Sequence, residues 1–477
     1  MKRQEGEIEE NIMENYDIVV VGAGAGGVFL TYELCRKNCP AKVLVLEKGT
    51  PLEKRICPIK EGKTEKCVKC SPCRIMHGYG GAGTLSDGKY NITTRFGGDL
   101  HKYVGEEQAM ELMEYVDDVL TGFGGGDAKL YSTGNSDLKT TALQHNLHLL
   151  DAKVRHLGTD RNRQILEKLY DYTRDRIETR FNTSADDIEK TEDGFLVTTD
   201  KGDRILCRDL VLASGRSGSR WISAICAKLG IKTMSNRVDI GVRVELPAEI
   251  FKHITDEVYE SKLVYKTEQY NDVVRTFCMN PYGEVVAENT NGIITVNGHS
   301  YADEELHTEN TNFALLVTNQ FTEPFNDSNE YGESIARLSN LLGGGVLLQR
   351  FGDLVKGRRS SERRMEKCYT RPTLKATPGD LSLVIPKRQL DDIIEMIYAL
   401  DKIAPGTANE DTLLYGVEVK FYNSRVKVDS NMETDVKGIY AMGDGSGVTH
   451  SLSQASACGV LVARVLMEKY GTDGKKE

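Results

Sequence analysis

Residues 17–47, DIVVVGAGAGGVFLTYELCRKNCPAKVLVLE, constrain this chain more than any other stretch. Residues 18–21 are an apolar run of strand length. Gly22, Gly24 and Gly27 follow with the spacing G-x-G-x-x-G. An apolar helical segment comes next, and residues 43–46 form a second apolar run that ends at Glu47. That order predicts a strand, a tight turn, a helix and a second strand. In such an arrangement the first glycine makes the bend and the second lets the backbone approach a pyrophosphate. The third lets the helix pack closely on the sheet. The helix N-terminus offers free N–H groups and the positive end of its dipole to an anion. Glu47 stands at the strand end, where a carboxylate accepts hydrogen bonds from a ribose diol, and Lys48 follows it. The segment therefore predicts a bound adenine dinucleotide.

A chain of 477 residues is too long for one core, so two or three domains are expected. A net charge of −10 argues against general nucleic-acid binding. No apolar run approaches the roughly 20 residues of a membrane span. Residues 1–13 lack an apolar signal core and read as a flexible charged tail. Several of the eleven cysteines (Cys35, Cys226, Cys458) sit in apolar segments, which suggests a reducing, cytoplasmic setting.

Further along, residues 104–121 and 161–177 read as helices. Residues 195–199 and 205–207 flank the turn Lys201-Gly202-Asp203 and read as a hairpin. Residues 209–213 read as a separate buried strand ending at Ser214-Gly215. From 238 to 400 the texture changes to mixed strands, a glycine run at 343–345 and a basic stretch, KGRRSSERR, at 356–364. Near the end, Gly443-Asp444-Gly445 follows a short strand and precedes a helix from about Leu452.

With these motifs in hand, the chain resembles a family of FAD-dependent dehydrogenases or oxidoreductases found in bacteria, archaea and plastids. The resemblance runs through most of the chain. Beyond the first turn it rests on GYGGAGTLSDGK at 78–89, VDIGVRVE at 238–245, and residues 438–447. Two positions depart from the common fingerprint: Thr31 replaces a small alanine, and Asn38 replaces a helix-ending glycine. The resemblance implies an α/β fold, with a Rossmann-like FAD-binding domain of the glutathione-reductase type (parallel sheet plus β-meander) and an inserted α+β substrate or cap domain. The expected FAD domain is assembled from 14–100, 160–237 and 405–470, with a cysteine-rich loop at 57–73. A helical connection at 101–159 and the inserted domain at 238–404 complete it.

The resemblance also assigns roles. Gly215, Gly443, Asp444 and Gly445 would lie near the dinucleotide, with Asp444 binding the ribityl chain or pyrophosphate. Ser453, Gln454 and Ala455 would open a helix aimed at the pyrimidine end of the isoalloxazine. The loop carrying Gly81, Ala82, Gly83 and Ser86 would run along the flavin edge. Asp87, Lys89 and Arg243 are the candidate catalytic groups beside the ring. His299, His450, Tyr282 and Cys278 are weaker proton-donor candidates. The glycine run at 343–345 lacks the spacing of a second dinucleotide fingerprint. Electrons would then come from docked NAD(P)H, a ferredoxin-like protein donor, or the small-molecule substrate.

Cys57, Cys67, Cys70 and Cys73 crowd one loop, the last three as C-x-x-C-x-x-C. Four readings stay open, unliganded loop thiols among them. The run resembles iron–sulfur ligation. Four thiolates also suit tetrahedral zinc. A C-x-x-C pair can instead form a redox disulfide. An iron–sulfur cluster is the expectation, because a redox flavin domain adjoins the loop in sequence.

The function expected is hydride transfer between flavin N5 and an organic substrate, as in a dehydrogenase or ene-reductase, with a cysteine-bound cluster relaying electrons. One alternative is a flavin-dependent monooxygenase, which an oxygen-sensitive cluster would disfavour. Another is a non-enzymatic FAD-fold protein that binds a partner or RNA through 356–364.

Overall fold

The apolar run after Asp17 becomes the strand Glu14–Val21, the centre of a parallel sheet in the computed structural model. The described residues are 13–58, 61–64, 68, 70–86, 88–134, 137–234, 236–258, 261–290, 292–301, 304–321, 328–422 and 424–473. They divide into two compact units. The first takes the described residues up to Ala128, Arg155–Met234 and those after Asn423. The second takes Lys129–Val154 and those between Met234 and Asn423.

In the first unit, the central strand pairs in parallel with Val43–Glu47 on one side and Arg204–Leu212 on the other. Glu178–Phe181 extends the sheet beyond Val43–Glu47. Ile18 and Val20 enter one apolar core, while Val19 and Val21 enter a second. A strand buried on both faces reads as a continuous apolar run, which is why this segment was plain in the sequence. The helix Ala25–Arg36 is buried almost all round. It packs on the C-terminal helix Leu452–Asp473 through two glycines: a Cβ on Gly459 would lie 2.1 Å from the Gly26 carbonyl oxygen.

The hairpin expected between 195–199 and 205–207 forms, but its second arm and the buried strand expected at 209–213 are one strand, Arg204–Leu212. Its first half pairs antiparallel with Phe195–Thr199, and its second half pairs in parallel with Ile439–Ala441. Two partners share one edge, so a change of local texture looked like a break. Ala185–Lys190 completes the antiparallel meander. The α/β class, with parallel sheet and meander, is the one observed.

The second unit is an eight-stranded, mostly antiparallel sheet carrying helices. Its central strand is Val238–Pro247, between Asn310–Asn319 and Leu413–Phe421. Val238, Ile240, Val242, Val244 and Leu246 face the apolar core. Asp239, Gly241, Arg243 and Glu245 alternate onto the other face and are also buried. Gly241 is obligatory there, since a Cβ would sit 1.7 Å from the Leu315 carbonyl oxygen. The strand Leu413–Phe421 ties residues beyond 405 into this sheet, so the chain re-enters the first unit later than the sequence reading placed it. Likewise Leu147–Leu149, in the expected helical connection, is an edge strand paired with Leu263–Lys266. Among the described residues no helix is long and apolar enough to cross a membrane.

Candidate functional site

Four chain reversals meet at the carboxyl ends of the parallel strands in the first unit, the place where open α/β sheets bind ligands. They are the Gly22–Gly27 turn, the end of Val43–Glu47, the Ala213–Gly215 turn and the Gly443–Gly445 turn. Backbone bonds tie them together. Ala213 N donates to Val21 O at 2.9 Å, Met442 N to Leu212 O at 3.0 Å and Gly445 N to Ser214 O at 3.1 Å.

The three glycines of the first turn have different surroundings. Gly22 has φ +112°, and a Cβ on it would lie 2.7 Å from the Ala213 carbonyl oxygen. A Cβ on Gly27 would lie 2.3 Å from the Gly22 carbonyl oxygen, which is the close helix–strand approach. At Gly24 a Cβ would meet nothing within 4 Å, and the same holds at Gly215. These two positions leave bare backbone facing open space. Gly24 is also the N-cap of Ala25–Arg36, with no side-chain cap and no acidic residue in the first turn. The first N–H groups of the helix thus have no side-chain acceptor within it.

The glycine-rich loop joins this turn. Gly80 N donates to Ala23 O at 2.7 Å, and Gly24 and Gly80 form a parallel bridge. Residues Gly81–Leu85, including Ala82 and Gly83, form a 3₁₀ turn. Ser86 Oγ donates back to Gly83 O at 2.7 Å. Lys89 begins the strand Lys89–Ile92. Asp87 and Cys67 lie outside the described residues.

Glu47 is 6% exposed, and three backbone amides hold it. Oε2 accepts from Ala23 N at 2.9 Å; Oε1 accepts from Gly49 N at 2.7 Å and Gly78 N at 2.9 Å. A carboxylate offers about four acceptor positions, so one remains for a ribose hydroxyl. Glu47 thus also fastens the first turn to the glycine-rich loop. Lys48, just beyond it, is exposed.

Asp444 lies between two basic groups. Its Oδ2 accepts from Arg216 Nε at 3.2 Å, and its Oδ1 is 2.9 Å from His450 Nδ1. The Gln454 side chain is turned elsewhere: its amide donates to Thr93 O and Phe96 O at 3.2 and 3.0 Å, and its Oε1 accepts from Leu100 N at 3.3 Å. It braces segment 93–100. Ala455 lies against the first helix, with its carbonyl 3.2 Å from a Cβ built on Gly26. Ser453 Oγ and Ser214 Oγ are buried without a hydrogen-bond partner.

Arg243 lies in the second unit. Its side chain is fully buried, donating to Asn312 Oδ1 at 2.9 Å and to Glu418 at 3.3 and 3.4 Å. Burial pushes the Glu418 carboxyl up to about 7, with Arg243 and Lys420 pulling the other way. Glu245, the acid next along this face, accepts from Thr373 Oγ1 and Tyr415 OH at 2.5 Å and from Asn310 at 3.1 Å. The motif VDIGVRVE is therefore a buried polar layer. The basic stretch at 356–364 folds around Asp353, which accepts from Arg358 Nε at 2.7 Å and Ser360 Oγ at 2.8 Å.

Two groups went unnoticed in the sequence. Arg216 directly follows Gly215, and its place after a strand-end glycine was the available signal. Arg55 gave none, because all its partners are backbone carbonyls.

Residues 237–421 match the family model described as FAD-dependent protein, C-terminal domain-like. An uncharacterized protein of Clostridium beijerinckii is 26% identical over 473 residues, spanning 95% of this chain and 81% of its own length. Among solved structures, glycine oxidase from Geobacillus kaustophilus has a TM-score of 0.41 at 12% identity, covering 96% of this chain and 95% of its own. L-proline dehydrogenase from P. horikoshii has a TM-score of 0.43 at 14% identity, with the same coverages of 96% and 95%.

Proposed function

We propose that this chain is an FAD-dependent oxidoreductase acting on a small organic molecule, and that the first unit holds the cofactor. The observation that carries the reading is bare backbone at Gly24 and Gly215, on turns that follow adjacent parallel strands. A pyrophosphate needs such an approach, and side chains would block it. The family match over 237–421 supports the same cofactor. Bound FAD would supply two-electron hydride chemistry.

The chain's own groups do the rest. The N-terminus of Ala25–Arg36 binds the pyrophosphate charge. Glu47 directs its remaining acceptor position to the adenosine ribose. Asp444, held by Arg216 and His450, accepts a hydroxyl of the ribityl chain. Electrons enter from NAD(P)H or a ferredoxin-like protein. The test is the visible spectrum of the purified protein and of Gly24→Val. Wild type should show a flavin band that bleaches with dithionite and releases FAD on denaturation. Gly24→Val, whose side chain fills the open space, should fold and lose most of its flavin. A variant with full FAD occupancy would refute the assignment.

A further inference from the structure

Cys57, Cys70 and Cys73 open onto one void. They line a cavity of about 100 Å³ with Pro58, Val68, Arg74 and Ile75. All three thiols are free and half-buried, so a dissolved reagent reaches them. Cys35, Cys207, Cys226, Cys368 and Cys458 are buried instead. Among the described residues, no three His, Cys, Asp or Glu side chains are placed to share a metal ion.

Arg74 lines this void, and a second arginine bonds the backbone of its wall. Arg55 is 1% exposed and lies directly behind it. Its Nε donates to Arg74 O at 3.1 Å, and its Nη2 donates to Ile75 O. Its Nη1 donates to Tyr79 O at 2.7 Å and Gly81 O at 2.8 Å. Burial pushes the guanidinium down to about 10, while Glu47 and Cys73 favour its charge. Three half-buried free thiols on one void supply both an attacking thiol and a resolving partner for exchange.

We propose that this pocket is a thiol–disulfide exchange site that reduces a disulfide, with Cys73 as the attacking thiol and Cys70 or Cys57 resolving. Cys73 Sγ attacks one sulfur of the incoming disulfide. That S–S bond breaks, a mixed disulfide forms, and the first thiolate leaves and takes a proton. The resolving Sγ then attacks the Cys73 sulfur and releases the second thiolate, which is also protonated. The pocket loses two electrons and two protons, and the substrate disulfide gains them. None of these steps depends on which ligand the glycine turn holds. Because Arg55 bonds both to the residues after Cys73 and to Gly81, closing the pocket disulfide also bears on the glycine-rich loop.

The test uses the full chain, reduced with dithiothreitol, desalted without oxygen and equilibrated in glutathione buffers from fully reduced to fully oxidised. Remaining thiols are alkylated, and the bridges are located by peptide mass spectrometry. The expected result is one disulfide between Cys73 and Cys70 or Cys57, formed in a single two-electron step while Cys207, Cys226 and Cys458 stay reduced. Cys73→Ser should slow loss of pocket thiols at least tenfold. Serine at the resolving position should trap glutathione on Cys73, which keeps the proposal testable if Cys73→Ser misfolds. Three free thiols at the oxidised limit would overturn it. So would a bridge made only through Cys67, or near-stoichiometric iron or zinc in protein purified without chelator.

Discussion

Glu47 does two jobs at once, and they separate experimentally. Its three amide bonds tie the first turn to the glycine-rich loop at Gly78, beside the bond from Gly80 N to Ala23 O. Each orphaned buried amide costs about 1–3 kcal/mol, partly offset by water. Glu47→Ala should therefore lower the stability of the ligand-free protein by about 2–4 kcal/mol in urea denaturation, besides weakening FAD. An unchanged urea midpoint would mean the carboxylate is not holding the turn. At this scale the sequence was only partly informative. Gly22, Gly24, Gly27 and Glu47 were legible because their spacing is itself a short local pattern, although Gly22 meets Ala213 and Glu47 meets Gly78. Arg243 was legible as a charge in a strand but not as the partner of Glu418, which lies 175 residues away. Arg55 was invisible for a different reason: carbonyl oxygens carry no side-chain signature.

The helices Ala25–Arg36 and Leu452–Asp473 meet through backbone at a pair of glycines. At the crossing of Ala25–Arg36 with the C-terminal helix, Gly459 faces the Gly26 carbonyl with no room for a methyl group. Gly459→Ala should cost about 1–3 kcal/mol by overpacking. Gly471→Ala, in the same helix where a Cβ meets nothing within 4 Å, should be neutral or stabilise by up to about 1 kcal/mol through helix propensity. Thermal denaturation of the pair checks the contrast; equal shifts would contradict the crossing geometry. The strand–turn–helix–strand segment was read well from sequence because its strands are continuous apolar runs buried on both faces. The strand Arg204–Leu212 was divided wrongly because its two halves answer to different neighbours, one of them more than two hundred residues downstream.

The whole molecule interleaves its two units along the chain. The family match begins at 237, yet the second unit also draws on Lys129–Val154. Leu138, Ala142, Leu147 and Leu149 belong to its apolar core, and Leu147–Leu149 covers the edge strand Leu263–Lys266. Burying a leucine contributes about 1.5–3 kcal/mol. A fragment of 236–422 should aggregate or unfold at much lower urea than the same fragment with 129–154 joined to it. Size-exclusion chromatography and urea titration of both fragments check this; matching behaviour would show that 129–154 is dispensable.

The strand Ile439–Ala441 has a consequence for biosynthesis. The central strand is made first, but its sheet waits for Arg204–Leu212, and that strand waits for a partner more than four hundred residues behind the first. At about 5–20 residues per second, a ribosome needs roughly 20–80 s to deliver it. For that whole interval the glycine turn lacks the Gly443–Gly445 turn and the helix Leu452–Asp473 beside it. The proposed FAD site is therefore completed only after residues 439–445 have emerged, and a product truncated before them lacks its Asp444 side.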